Sequence, residues 1–210
     1  RNWWVRLDNQ VNYTLFQETQ RRPEGTHVVA GPGDWLYERH YITHAVQPGR
    51  MTEEQIRATL ARMRRVQDKL AARGVPFLLV VAPSKVEVYP EHVPATYWGG
   101  RNPAYVMTSF ERARPLFAEY GLNVYDGPAQ FAVWKHTMPD HLFTRSGTHW
   151  SYYSAYHVLK DLRERLNPVM RHPMPDFRLG SLRSRNPRGT DEDLLALMNL
   201  LVDEPYSHPS

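Results

Sequence analysis

Residues 51–82 constrain this chain more than any other stretch, because an amphipathic helix there runs straight into a short, unbroken apolar segment. Ile56, Leu60, Met63, Val66 and Leu70 recur at helical spacing on one face. Thr52 and Gln55 form a capping-box pair at the start, and Gly74 marks the stop. The run that follows, Pro76 to Ala82, lacks the polar alternation of a strand with one wet face. It reads as a fully buried strand of a parallel sheet. A helix over about 103–119 and a strand at Leu122 to Tyr125 repeat the unit. Helix, buried strand, helix and strand in that order predict an α/β sheet with crossover helices.

The flanks complete one domain. Residues 5–18 read as an amphipathic helix that ends at Pro23-Glu24-Gly25, so 1–26 is an N-terminal helix and lead-in. Val28-Val29-Ala30, the turn Gly31-Pro32-Gly33-Asp34 and Trp35-Leu36-Tyr37 predict two short strands. Tyr152, Tyr156, Leu159, Leu162 and Leu166 predict the apolar face of a helix over about 151–166. Residues 170–188 read as loop. Thr190 with Asp193 predicts the cap of a last, leucine-rich helix that is deeply buried. A chain of 210 residues holds a full hydrophobic core. There is no internal repeat.

Composition narrows the function classes. There is no cysteine, which excludes disulfides, thiolate nucleophiles and thiolate metal sites. The net charge of +4 comes mainly from arginine, but Glu53, Glu54, Asp68 and Asp191 to Asp193 interrupt the basic residues. That pattern argues against a nucleic-acid stripe and for a solvated surface. Six Trp and twelve Tyr suit either a dense core or a sugar-binding face. No apolar run spans a bilayer. Any signal peptide or membrane anchor is expected upstream of Arg1.

Ligand motifs are weak. Gly31-x-Gly33 has no third glycine and opens a turn, so a dinucleotide site is not expected. His136, His141, His149 and His157, with Asp140 nearby, lack the one-turn pair that a metal helix carries, and no metal is predicted. Ser84, in Ala82-Pro83-Ser84-Lys85, follows the buried strand but lacks the flanking glycines of a nucleophile elbow, so a structural turn is expected. Ser146 and Ser151 read as helix-start residues. The strongest candidate is His149 in Gly147-Thr148-His149-Trp150. Just ahead of a helix, the positive end of the dipole favours the neutral ring that a general base requires. Sites in such sheets form beyond the carboxyl ends of strands, so the loop after 77–82 and the loop before His149 are the places to look.

Four motifs fall in order: Gly33-Asp34-Trp35-Leu36-Tyr37 with Tyr41, Val80 to Lys85 leading to Tyr89-Pro90-Glu91, Leu142-Phe143, and Gly147 to Trp150. In this order, from Asn12-Tyr13 onward, the chain resembles the SGNH-hydrolase-like domain of bacterial polysaccharide O-acetyltransferases, the alginate O-acetyltransferase family of AlgX and AlgJ type. The resemblance implies a three-layer α/β/α, flavodoxin-like sheet. It also implies a Ser-His-Asp triad that moves acetyl groups on sugar hydroxyls without a cofactor. His149 matches the family's base in an Asp-x-His-Trp motif, and Trp150 the tryptophan after it. Gly147 stands where that motif has aspartate, leaving Asp126 and Asp140 as candidates to orient the ring.

The family's serine lies in a later Gly-Asp-Ser, a sequence absent here, so the nucleophile segment and the end of the sheet are expected after residue 210. Lys85, Trp150 and Tyr89 are the expected substrate-facing residues. The implied partners are a polysaccharide and an acetyl donor that a membrane-bound O-acyltransferase delivers. The implied location is periplasmic or otherwise extracytoplasmic. The alternative reading is a catalytically silent polysaccharide-binding or assembly protein of the same fold.

Overall fold

The computed structural model describes residues 3–19, 27–47, 49–100, 107–139, 141–180 and 189–201. The chain opens with α1 (Trp3–Phe16), followed by the antiparallel hairpin β1 (Val28–Gly31) and β2 (Trp35–Glu38). Its connection uses positive φ at Gly33 and Asp34, as a tight hairpin requires. Helices α2 (Arg39–Val46) and α3 (Glu53–Ala71) lead to β3 (Leu79–Val81). Then come α4 (Lys85–Val88), α5 (Ser109–Ala113), α6 (Leu116–Glu119) and β4 (Val124–Asp126). The chain continues through α7 (Gly127–Thr137), α8 (Tyr152–Leu166) and α9 (Asp193–Met198).

β3 and β4 pair in parallel, with Leu79 opposite Val124 and Val81 opposite Asp126. The chain between them carries helices, as the crossover pattern predicts. The strand itself departs from the expectation of full burial: Val80 is 41% exposed and its neighbours are half-buried. Among the described residues β3 has one partner strand, so an apolar sequence does not here mean a strand covered on both sides.

The predicted helix at 103–119 is two helices where it is described. Pro115 lacks the N–H that a continuous helix would donate to Glu111, and the helix restarts after it. The capping box of Thr52 and Gln55 is present at α3, and matching boxes of Ser84 with Glu87 and Thr108 with Glu111 start α4 and α5.

β2 connects two cores by strand alternation. Trp35 and Tyr37 face a large cluster with Ile42, Val86, Tyr125, Phe131 and Phe143. Leu36 faces the other way, against Tyr13, Val28, Leu194 and Met198. Asn9 and Arg6 of α1 donate to the carbonyls of Met198, Asn199, Leu200 and Leu201, which closes the end of α9. A third cluster of Ile56, Leu60 and Leu122 packs α3 on the β4 side.

Two helix faces differ from the reading by periodicity. α8 buries Ser154 and Val158, while Tyr152 and Leu159 are exposed. In α9 Leu194 and Met198 are buried and Leu197 is not, and no side chain caps the helix.

Candidate functional site

The segment 142–151 is a closed loop. Phe143 and Trp150 form an isolated antiparallel bridge, and the Ser151 N–H donates to the Leu142 carbonyl at 3.0 Å. Ser151 caps α8, accepting from the Ser154 N–H at 3.1 Å. Ser154 Oγ donates to the same Leu142 carbonyl at 2.8 Å. On the other side the Leu142 N–H donates to the Tyr89 hydroxyl at 3.0 Å, and the Tyr37 hydroxyl donates to the Tyr89 carbonyl at 2.7 Å. Burial raises the pKa of the Tyr37 hydroxyl, so it stays a donor.

Lys85 fixes the loop from beneath. It is 5% exposed, and its Nζ donates to the carbonyls of Leu36, Arg145 and Gly147 at 2.7, 2.7 and 2.8 Å. Three convergent carbonyls match the three N–H groups of an ammonium. The rings of Trp35 and Tyr37 lie 5.1 and 5.2 Å from the same nitrogen. Burial pushes the pKa of this amine well below the usual lysine range, and the negative charge of Asp193 opposes the shift. Leu36 turns both its backbone groups away from β1, since its N–H also donates to the Arg145 carbonyl at 2.8 Å. The loop is thus stitched to β2 through one residue.

Above this base a cleft of about 430 Å³ opens. Its floor runs from Ala82 to Val86 at the end of β3, and one wall is Thr148, His149 and Trp150. Tyr37, Glu38 and Tyr41 form another wall, and Tyr152 and Thr190 lie at the remaining edge. The cleft therefore joins the two loops that the sequence singles out. The His149 side chain is 59% exposed, so solvent and ligand reach its ring. Trp150 lines the cleft and anchors its indole N–H on the Pro83 carbonyl at 3.3 Å.

A carboxylate at the start of α9, where the sequence predicts a helix cap, lies beside the histidine. Asp193 Oδ2 is 3.5 Å from His149 Nε2, an ion-pair distance longer than a good hydrogen bond. Asp193 Oδ1 accepts from the Thr148 N–H at 2.8 Å and from the Leu194 N–H at 2.9 Å. The two side chains are 44 positions apart, so sequence proximity does not pair them.

Other expected residues are placed elsewhere. Asp126 caps α7 by accepting from the Ala129 N–H at 3.0 Å and pairs with Arg114 at 2.8 Å, so its oxygens are taken. Asp140 lies outside the described residues. Tyr89 is a core ring against Trp35 and Phe143 and does not line the cleft. Lys85 lines the cleft, and its Nζ is held by three backbone carbonyls. Ser84 is committed to its capping box. Ser146, read as a helix-start residue, is instead fully buried, and its Oγ donates to the Asp191 carbonyl at 2.9 Å. His141 packs on Trp35, and His157 on Trp134 and Tyr153. Among the described residues no three acidic or histidine side chains gather in metal-binding geometry.

The parallel pair with its crossover and the cleft beyond its carboxyl end are an α/β arrangement, and the family match over residues 28–200 makes it an SGNH-hydrolase-like domain. The fold matches the structure of the O-acetyltransferase domain of Pseudomonas putida AlgJ, with a TM-score of 0.50 and 24% identity. That match covers 67% of this chain and 47% of that one. Residues 28–200 match the family of SGNH hydrolase-like domains of the acetyltransferase AlgX, and the chain belongs to this alginate O-acetyltransferase family.

The chain is similar to proteins described as probable alginate O-acetylases. A probable alginate O-acetylase AlgJ of Azotobacter vinelandii is 29% identical over 171 residues, 80% of this chain and 38% of that protein. The Pseudomonas aeruginosa AlgJ is 29% identical over 213 residues, 99% of this chain and 48% of its own length. The chain thus spans less than half the length of these relatives.

Proposed function

We propose that this chain is the histidine-bearing part of an O-acetyltransferase or acetylesterase that acts on a bacterial exopolysaccharide or cell-envelope glycan outside the cytoplasm. The observation that carries the reading is an accessible imidazole, His149, on a rigid loop at the edge of a cleft large enough for a sugar residue. The nucleophilic serine belongs to a part of the protein outside these 210 residues. In the first half-reaction the serine Oγ attacks the acetyl carbonyl carbon while His149 takes the serine proton. The tetrahedral adduct collapses, the donor oxygen leaves with the proton that His149 returns, and an acetyl-serine remains. In the second half-reaction His149 deprotonates a sugar hydroxyl or water, which attacks the acetyl carbon and frees the serine with its proton restored.

The surroundings suit a carbohydrate. Tyr41, Trp150 and Tyr152 present ring surface to the cleft, and aromatic faces pack against the apolar faces of sugars. The acetyl donor is an oxygen ester, delivered by a membrane-bound partner.

The test uses the full-length protein with p-nitrophenyl acetate as donor and an oligosaccharide as acceptor. His149→Ala is expected to lower turnover about 10²- to 10⁴-fold, the usual contribution of a general base. Turnover equal to that of the parent protein would remove His149 from the mechanism. A parent protein that binds glycan and never turns over acetyl ester would favour the binding reading instead.

A further inference from the structure

His149 is more than half exposed and lies on a loop, so its ring needs a partner to hold one orientation and one tautomer. The motif position that could carry such a partner, residue 147, is a glycine. The space its side chain would occupy is already filled. A Cβ at Gly147 would lie 2.5 Å from the Thr190 carbonyl oxygen, 2.6 Å from Thr144 Oγ1 and 2.8 Å from the Asp191 carbonyl carbon. Two of those three atoms are backbone of the segment that leads into α9. The missing side chain is therefore what lets residues 190–193 lie against the loop.

That segment is fastened there. Ser146 Oγ donates to the Asp191 carbonyl, and the Leu195 N–H donates to the Ser146 carbonyl at 3.1 Å. Leu194 and Met198 are buried beneath, in the core that holds Leu36. Two residues on from Asp191 lies Asp193, whose Oδ1 is pinned by two backbone N–H groups and whose Oδ2 faces His149 Nε2.

We propose that Asp193 is the positioning acid of His149, admitted to the site by the glycine at 147. The inference rests on His149 as the base. The carboxylate holds the proton on Nε2, which leaves Nδ1 with the lone pair that accepts a hydroxyl proton. At 3.5 Å the contact is loose, as unliganded catalytic contacts often are, and it tightens as the ring gains charge during proton transfer.

Asp193→Asn separates this role from a structural one. Oδ1 has to keep accepting from the Thr148 and Leu194 N–H groups, so the new amide NH₂ faces His149. A donor in that place reverses the tautomer, putting the ring proton on Nδ1 and removing the base. The expected result in the full-length enzyme is a fall in kcat of about 10²- to 10⁴-fold with KM within threefold of the parent. Nitrogen NMR of the ring is expected to change from Nε2–H to Nδ1–H, with the circular dichroism spectrum unchanged. The NMR readout stands even where no turnover is measurable.

Unaltered kcat and tautomer in Asp193→Asn, with His149→Ala inactive, would overturn the positioning role and leave the base assignment standing. Full activity in His149→Ala would instead remove the base itself. Gly147→Ala tests the coupling: it is expected to displace residues 190–193 and lose activity with Asp193 still present. If Gly147→Ala keeps both the activity and the Nε2–H tautomer, the link between the two positions is wrong.

Discussion

Lys85→Met probes the scaffold beneath the site most directly, since methionine matches the length of the lysine stem and removes only the charge and donors. Three carbonyls lose the ammonium, but the Arg145 oxygen keeps the Leu36 N–H. Leu36 O, which points away from β1, and Gly147 O are left without this donor. A buried acceptor deprived of its partner costs about 1–3 kcal/mol, so the pair costs roughly 2–6 kcal/mol. Part of this is offset, because the desolvation cost of the buried ammonium also disappears. The net expectation is a loss of about 2–4 kcal/mol from a domain total of order 5–15 kcal/mol.

The loop that carries His149 would loosen together with the fold. Urea unfolding of the variant should show the lower midpoint. Hydrogen exchange should show faster exchange at the Leu36 and Thr148 amides than at amides of α3. In the full-length protein a loop displaced by about 1 Å is expected to lower kcat/KM by roughly a hundredfold. A Lys85→Met protein within about 0.5 kcal/mol of the parent, with unchanged amide protection, would show that the three carbonyl contacts hold nothing together.

Two further outcomes follow from the cleft and from α8. Tyr152, 61% exposed at the cleft edge, is expected to act in sugar stacking: Tyr152→Ala should raise the KM for an oligosaccharide acceptor about fivefold with kcat unchanged, as lost uniform binding does, and an unaltered KM would exclude it. The pKa of His157 is lowered first by burial and then by the charge of Lys160, against the opposing pull of Asp161. The unfolded chain therefore binds the extra proton more readily, so stability is full above about pH 6.5 and falls as pH drops toward the folded-state value. His157→Asn should flatten the urea-midpoint profile below pH 6.5, and an unchanged slope would assign the loss to other groups.

Much of the frame was legible because it depends on local rules. The α3 face, its capping box and the Gly33-Asp34 turn are statements about neighbours three or four residues apart, and the structure keeps them. The Pro76–Ala82 run could be read as a strand but not as a half-covered one, since burial depends on which elements lie alongside. The face of α8 went astray for a related reason. The Ser154 hydroxyl donates to the Leu142 carbonyl and bonds the buried Ser151 hydroxyl, and that polar anchor, not the tyrosine stripe, sets the helix rotation.

The site divides along the same line. His149 and Trp150 were visible because their motif is contiguous, and the cleft lies where an open α/β sheet would put it. Asp126 and Asp140 came forward because they are near in sequence, yet nearness along the chain says little about which carboxylate reaches a loop. Asp193 was in view only as a helix-start residue. The one local trace of its role is the glycine at 147, whose absent Cβ leaves room for a distant backbone. A glycine where a catalytic motif has an acid therefore carries two readings: the acid is lost, or another segment has moved in with its own. Two of the three atoms crowding that Cβ position belong to the carbonyls of residues 190 and 191, the third being Thr144 Oγ1, and this is the observation that favours the second. Were the site merely degraded, no carboxylate would be expected to lie against the ring with its other oxygen held by two N–H groups.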